Sequence, residues 1–199
     1  CFDLAVRRSA KLGVPQSVTC VDKSNVLRGC QFFRSIFREI AESYPKIGAK
    51  EAYIDAFTMW LVRDPEDLDV VVLPNMFGDI ATDLASVLQG GMGMAASANL
   101  GDKHMMFEPV HGSSPKHAGK NRVNPIAMLS SLQLMLENLS LRHDDPLLDK
   151  YGNILQQAIS QHLSSDGPKT YDIGGTGTTS EVGDAIADRV RRLLRNDKA

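Results

Sequence analysis

Apolar positions along this chain switch between two periods. In QFFRSIFREIAESY, residues 31–44, Phe33, Ile36, Phe37 and Ile40 recur at intervals of three and four, the stripe of a helix with one buried face. FDLAVRRSAKLG is amphipathic in the same way and predicts a helix over 2–12. VPQSVTCVD (14–22) and EAYIDA (51–56) read as short strands, and DVVVLP (69–74) is a continuous β-branched run, as expected of a strand covered on both faces. NMFGDIATDLASVL returns to helical spacing, GGMGMAASANLGD reads as a loop, and MMFEP (105–109) as the next strand. Asn124-Pro125 is an N-cap followed by the proline favoured at the first helical position, which predicts a helix over about 125–139. Another helix is expected over 146–164, and in TGTTSE Thr178 and Glu181 supply a capping box for DAIADRVRRLL. Strands alternating with helices predict an α/β fold, with a composition shift near 90–101 that suits a hinge between two lobes.

Composition narrows this only a little. A chain of 199 residues with 43% hydrophobic content can bury a real core. Its 22 Lys and Arg against 24 Asp and Glu leave a formal charge of -2, which offers no basic footprint for nucleic acid and no polybasic membrane anchor. No apolar run reaches the ~18 residues of a membrane span. Cys1, Cys20 and Cys30 are too few and too scattered for a disulfide framework, so a cytoplasmic location is expected.

Three groups of residues could carry chemistry. Asp79 and Asp83 in GDIATDLAS stand at i and i+4, which puts two carboxylates on one helix face about 5–6 Å apart. Such a pair suits a hard divalent cation, although the spacing alone fits a solvated acidic face better. Lys23, in TCVDKSNVL, follows a strand, where α/β proteins bind substrates and where a desolvated lysine can act as a base; an exposed turn lysine reads the same way. The third group is FEPVHGSSPKHAGKNRVNP, residues 107–125, with two histidines, paired serines, three prolines and three basic residues and no apolar period. It follows a strand and feeds the Asn124-capped helix, an arrangement that suits a phosphate. Gly91, Gly93 and Ala96 satisfy a G-x-G-x-x-A spacing but follow a helix, so a Rossmann loop is not expected there.

VDKSNVL, YIDA, LPNMFGDIATDLAS and FEPVHGSSPKHAGKNRVNP stand in an order and spacing that resembles the β-decarboxylating hydroxyacid dehydrogenases, the family of 3-isopropylmalate, isocitrate, homoisocitrate and tartrate dehydrogenases. The resemblance runs over nearly the whole chain. It implies the isopropylmalate dehydrogenase-like two-domain α/β fold, which binds NAD(P) without a Rossmann domain. It implies Mg²⁺ or Mn²⁺, with Asp79 and Asp83 as ligands and Asp55 as a third donated by the partner subunit. Lys23 matches the catalytic lysine, likewise reaching across a homodimer interface, with Asp55 beside the chemistry and Asn25 near the nicotinamide. Glu108, His111, Gly112, Ser113 and Ser114 match the loop contacting the dinucleotide, and Asn124 the residue reading the adenine. Where NAD-using isopropylmalate enzymes carry an acidic and an aliphatic residue, this chain has Lys116 and His117, which favour a 2′-phosphate and hence NADP over NAD. Tyr171 is expected near that phosphate.

The implied reaction is oxidative decarboxylation of a 2-hydroxy acid bearing a β-carboxylate, of 3-isopropylmalate type, with NADP-dependent isocitrate dehydrogenase and tartrate dehydrogenase as the alternatives. Family members run to roughly twice this length. The resemblance therefore casts residues 1–90 as most of the small, dimer-forming domain and 91–199 as the carboxyl-terminal part of the large, cofactor-binding one. The arginines that grip substrate and the substrate-selecting segment are expected outside this chain, and 199 residues alone should not turn over. A non-catalytic regulatory subunit is the reading from another class; retention of Lys23, Asp55, Asp79 and Asp83 argues against it.

Overall fold

The computed structural model describes residues 1–14 and 16–197, so Pro15, within the expected first strand, lies outside the described residues. The chain divides into two compact units, Cys1–Ala85 and Ser86–Ala199.

The first unit is built from α1 (Phe2–Leu12), β1 (Ser17–Asp22), α2 (Arg28–Ala41), β2 (Gly48–Tyr53), α3 (Ile54–Arg63), β3 (Val70–Val72) and most of α4 (Asn75–Leu88). Its strands form a parallel sheet in the order β2-β1-β3, with Ser17 opposite Gly48 and Val18 opposite Val70. β1 is buried from Val18 to Asp22, and its alternation divides the core. Val18 and Cys20 join Phe2, Ala5, Phe37, Ile47 and Val70 on one face. Val21 joins Ala52, Phe57, Leu61 and Ala81 on the other. Phe2 stacks between Phe37 and Tyr44, with ring centroids 5.3 and 5.1 Å away. α1 stops because Gly13 takes φ 71°, a left-handed conformation cheap only for glycine, and its N–H closes on the Ser9 carbonyl.

The DVVVLP strand is covered on both faces, Val72 packing with the first cluster and Val71 with the second, although β3 is only three residues long and an edge among the described residues. Helix α3 was not expected. IDAFTMWLVR is apolar nearly all round, so its helical period is masked and only its strand-like approach stands out.

The second unit holds an antiparallel ribbon of β4 (Ala96–Leu100) and β5 (Met105–Pro109) and three helices, α5 (Ile126–His143), α6 (Pro146–Leu163) and α7 (Thr179–Asn196). The reading of 90–102 as a loop is corrected here: ASANL pairs along β5 from Ala96 opposite Pro109 to Leu100 opposite Met105. Its small and polar residues gave no alternation to detect. Ile126, Leu155, Ala158, Ile159, Val182 and Ile186 form the core between the helices. The capping box is in place, with the Glu181 carboxylate accepting from the Thr178 N–H at 2.8 Å and the Thr178 hydroxyl from the Glu181 N–H at 3.3 Å. Among the described residues no helix is long and apolar enough to cross a membrane.

Candidate functional site

In the first unit the carboxyl end of β1 is fixed by a buried ion pair. Asp22, fully buried, accepts from Arg34 Nη2 at 2.7 Å and Nε at 2.8 Å, and from the Ser24 N–H at 2.8 Å. Arg34 also donates to the Ala52 carbonyl at 3.1 Å and to Glu51 at 3.2 Å, and lies 5.1 Å from the Tyr53 ring centroid. One α2 side chain thus ties the end of β1 to the end of β2. A carboxylate with three charge-assisted or backbone donors stands the loss of water that burial imposes.

That arrangement sets the next residue. The Lys23 carbonyl accepts from the Val26 and Leu27 N–H groups, and Gln31 donates to the Ser24 carbonyl at 2.8 Å, so the turn carrying Lys23 and exposed Asn25 is held at both ends. The Lys23 ammonium forms an ion pair with Asp55, in the first turn of α3. Lys23 is 28% exposed and Asp55 66%. The hydrogen bond from Lys23 holds the Asp55 carboxyl below its ordinary range. Asp79 and Asp83 stand exposed one turn apart on α4. Among the described residues no three metal-ligating side chains come together, so Asp55 does not join Asp79 and Asp83 within one copy.

In the second unit the 107–125 loop is drawn into shape by its own polar groups. Ser114 takes φ 48°, and its hydroxyl lies 2.9 Å from His117 Nδ1. His117 Nε2 lies 3.2 Å from the Tyr171 hydroxyl, and the two rings stack with centroids 5.9 Å apart. Arg122 covers the Tyr171 ring at 4.2 Å. His111 donates through Nδ1 to the Gly112 carbonyl at 2.8 Å. The start of α7 anchors the far end: Thr179 N–H donates to the Asn121 carbonyl at 3.0 Å and Ser180 N–H to Asn121 Oδ1 at 3.1 Å.

Asn124 is buried at the end of this loop. Its Oδ1 accepts from the Ile126 N–H at 3.0 Å, although α5 starts at Ile126 with Pro125, and not the expected Asn124, as its N-cap, and its Nδ2 donates to Asp172 Oδ2 at 3.0 Å and to the Met94 sulfur at 3.3 Å. Gly93 lies against the pair, where a Cβ would stand 2.8 Å from Asp172 Oδ2 and 3.1 Å from Asn124 Cβ. A cavity of about 180 Å³ opens here, lined by Gly93, His111, Ser114, Asn124, Tyr171 and Asp172. His111, Ser114 and Asn124 therefore meet in one pocket with His117 behind Tyr171, whereas Lys116, Gly112 and Ser113 lie exposed along the loop and Glu108 on the exposed side of β5.

Sequence reading missed Asp22, Arg34, Gly93, Arg122 and Asp172. Asp22 gave one clue, a carboxylate at the end of an apolar strand, which requires a partner. Nothing local pairs Asp172 with Asn124, 48 positions away.

The isocitrate/isopropylmalate dehydrogenase family model matches residues 1–186, and the chain belongs to that family. The 3-isopropylmalate/3-methylmalate dehydrogenase of Methanocaldococcus jannaschii is 42% identical over 191 residues, 96% of this chain and 55% of that protein. The 3-isopropylmalate dehydrogenase of Bacillus cereus is 41% identical over 187 residues, covering 93% of this chain and 49% of that one. Among solved structures, the β-decarboxylating dehydrogenase of Thermococcus kodakarensis in its apo form superposes with a TM-score of 0.84 at 37% identity, over 100% of this chain and 56% of that one. The isocitrate dehydrogenase of Methylococcus capsulatus gives 0.83 at 34% identity, over 96% and 55%. The expected isopropylmalate dehydrogenase-like fold is therefore the observed one. The chain spans about half the length of the curated relatives it matches.

Proposed function

We propose that the whole protein is an NAD(P)-dependent dehydrogenase that oxidatively decarboxylates a 2-hydroxy acid with a β-carboxylate, of 3-isopropylmalate type. The observation that carries this reading is the Lys23–Asp55 ion pair, held at the strand end by Asp22 and Arg34, on a chain that also displays Asp79 and Asp83 on one helix face. The names of the Methanocaldococcus and Bacillus relatives support the substrate class.

Asp79 and Asp83, with Asp55 from a second copy, are hard oxygen donors of the kind Mg²⁺ and Mn²⁺ take, and would hold such an ion. When bound, the ion supplies Lewis-acid polarisation of the substrate hydroxyl and charge stabilisation as CO₂ leaves. NADP or NAD supplies the hydride acceptor. Lys23 assists removal of the hydroxyl proton, and Asp55 beside it stabilises the protonated amine. In the second unit Glu108, His111, Gly112, Ser113, Ser114 and Asn124 take the adenosine part of the cofactor, and Lys116 and His117 its 2′-phosphate. Asn25 would lie near the nicotinamide.

The reading makes 1–90 most of the small, dimer-forming domain and 91–199 the carboxyl-terminal part of the large, cofactor-binding one. Exposed apolar side chains on α2 (Phe32, Ile36, Ile40) and α4 (Met76, Ile80, Val87) support a homodimer. A second reading, NADP-dependent isocitrate dehydrogenase, is favoured by Lys116 in the loop, by His117 against Tyr171 and by the likeness to the Methylococcus enzyme.

The test is reduced-cofactor formation by the whole protein with Mg²⁺ or Mn²⁺, offered isopropylmalate, isocitrate and tartrate, each with NAD and NADP. Turnover of isopropylmalate is expected. Turnover of isocitrate alone selects the second reading, and tight nucleotide binding with no turnover on any substrate selects a regulatory subunit.

A further inference from the structure

We infer that His162 is a proton-sensitive latch on the segment 165–177, closed while its imidazole is neutral and released when the ring gains a proton. His162 is fully buried in the last turn of α6, with Nε2 2.9 Å from the Pro168 carbonyl. A carbonyl only accepts, so Nε2 carries the hydrogen and Nδ1 of the neutral ring is a bare lone pair. That Nδ1 is buried and has no hydrogen-bond partner among the described residues. Gly167 covers its edge of the ring, where a Cβ would stand 3.3 Å from Cε1 and 3.4 Å from Nδ1. The charged groups that act on the ring are Arg189 of α7 and Lys169 of the segment, both positive. Arg189 is held in place by the bond from Nη2 to the Ser165 hydroxyl at 2.6 Å. No carboxylate offsets them: Asp166, Glu181, Asp184 and Asp188 are exposed, with Glu181 taken by Thr178 and Asp188 by Arg191. On α5, Glu137 accepts from Gln133, Arg142 donates to the Gly101 and Lys103 carbonyls, and His143 is exposed.

A second proton would sit on Nδ1 with no protein acceptor and two cations around it. Relief comes from opening the segment to water, which returns the imidazole to its ordinary value of about 6.5. Each open molecule then takes up a proton that the closed one resists, so the open population grows as pH falls below that value. Two rungs define what opens. The Gly175 N–H donates to the Thr170 carbonyl at 2.9 Å and the Gly177 N–H to the Lys169 carbonyl at 2.7 Å. The first rung needs glycine, since a Cβ on Gly175 would stand 2.0 Å from the Lys169 oxygen. Between the rungs lie Tyr171 and Asp172, which line the cavity beside Asn124. A proton on His162 therefore loosens one wall of that cavity, whatever occupies it.

Hydrogen exchange of the whole protein, read by mass spectrometry and corrected for the intrinsic effect of pH, follows the Gly175 and Gly177 amides against those of α5. Between about pH 7.5 and about pH 5.0 the protection of the segment should fall by about tenfold, under a ceiling of about thirtyfold for one group of ordinary value 6.5. It should also lie below that of α5 at both values. In His162→Gln, whose amide can still donate to the Pro168 carbonyl and does not titrate, the fall should vanish. Arg189→Gln, which removes the α7 cation, should shrink it. A segment as well protected as α5 at both values opens only with the whole unit and overturns the inference, as does a fall that persists in His162→Gln. The wild-type protein decides the matter even if both variants fail to fold, since a segment whose protection ignores pH overturns it as well.

Discussion

Asp22 and Arg34 form a two-pronged ion pair beneath Lys23, with Oδ1 to Nη2 at 2.7 Å and Oδ2 to Nε at 2.8 Å and the carboxylate wholly buried. Removing either partner strands a buried charge. Asp22→Asn and Arg34→Met should each lower unfolding stability by about 3–5 kcal/mol, and the double variant by clearly less than the two losses added. Urea denaturation of the four proteins measures the coupling.

Arg122 lies over Tyr171, whose hydroxyl meets His117, so a guanidinium and an imidazole flank one ring. Under the proposed function His117 meets the 2′-phosphate, and Arg122, on the same ring, would add positive charge near it. Arg122→Ala should weaken NADP binding by about tenfold and leave NAD binding nearly unchanged, as read by calorimetry with each dinucleotide.

His162 is buried in α6, with Nε2 2.9 Å from the Pro168 carbonyl. Burial holds its imidazole below the ordinary value, nearby Arg189 and Lys169 add to the effect, and the Pro168 contact opposes it. The unfolded chain therefore takes up a proton here before the native protein does. This contribution to stability is complete above the unfolded value of about 6.5 and is lost as pH falls below it, until the lower native value is passed. His162→Gln should flatten the fall in urea-denaturation stability between about pH 7 and about pH 5.

Burial first, and then the Asp22 carboxylate, pushes the Cys20 thiol up to about 12. Cys20 and Cys30 are buried and Cys1 exposed. A thiol reagent at neutral pH should modify Cys1 quickly in the native chain and Cys20 only after denaturant is added, because the thiolate is the reacting form. Mass mapping of the labelled cysteines reads this directly.

The helices with a clear stripe or cap, such as Arg28–Ala41 and Thr179–Asn196, were legible in the sequence because their apolar period and capping residues are local signals. α3 and β4 were not, the first being apolar all round and the second made of small residues whose place is set by pairing with β5. The site divides the same way. Lys23, Asp55, Asp79, Asp83 and the 107–125 loop announce themselves by motif. Arg34, Arg122 and Asp172 act through partners distant in the chain or through ring contacts, which no spacing encodes.

Under the proposed function one active site is assembled from Lys23 and Asp55 of one copy and Asp79 and Asp83 of another. Subunit complementation of the whole protein tests it most directly: Lys23→Met and Asp83→Asn, each inactive alone, are unfolded together, refolded and assayed. Mixed dimers then carry one doubly damaged and one intact site, so random pairing should restore about a quarter of wild-type turnover. A mixture that forms mixed dimers and stays inactive would contradict the shared site.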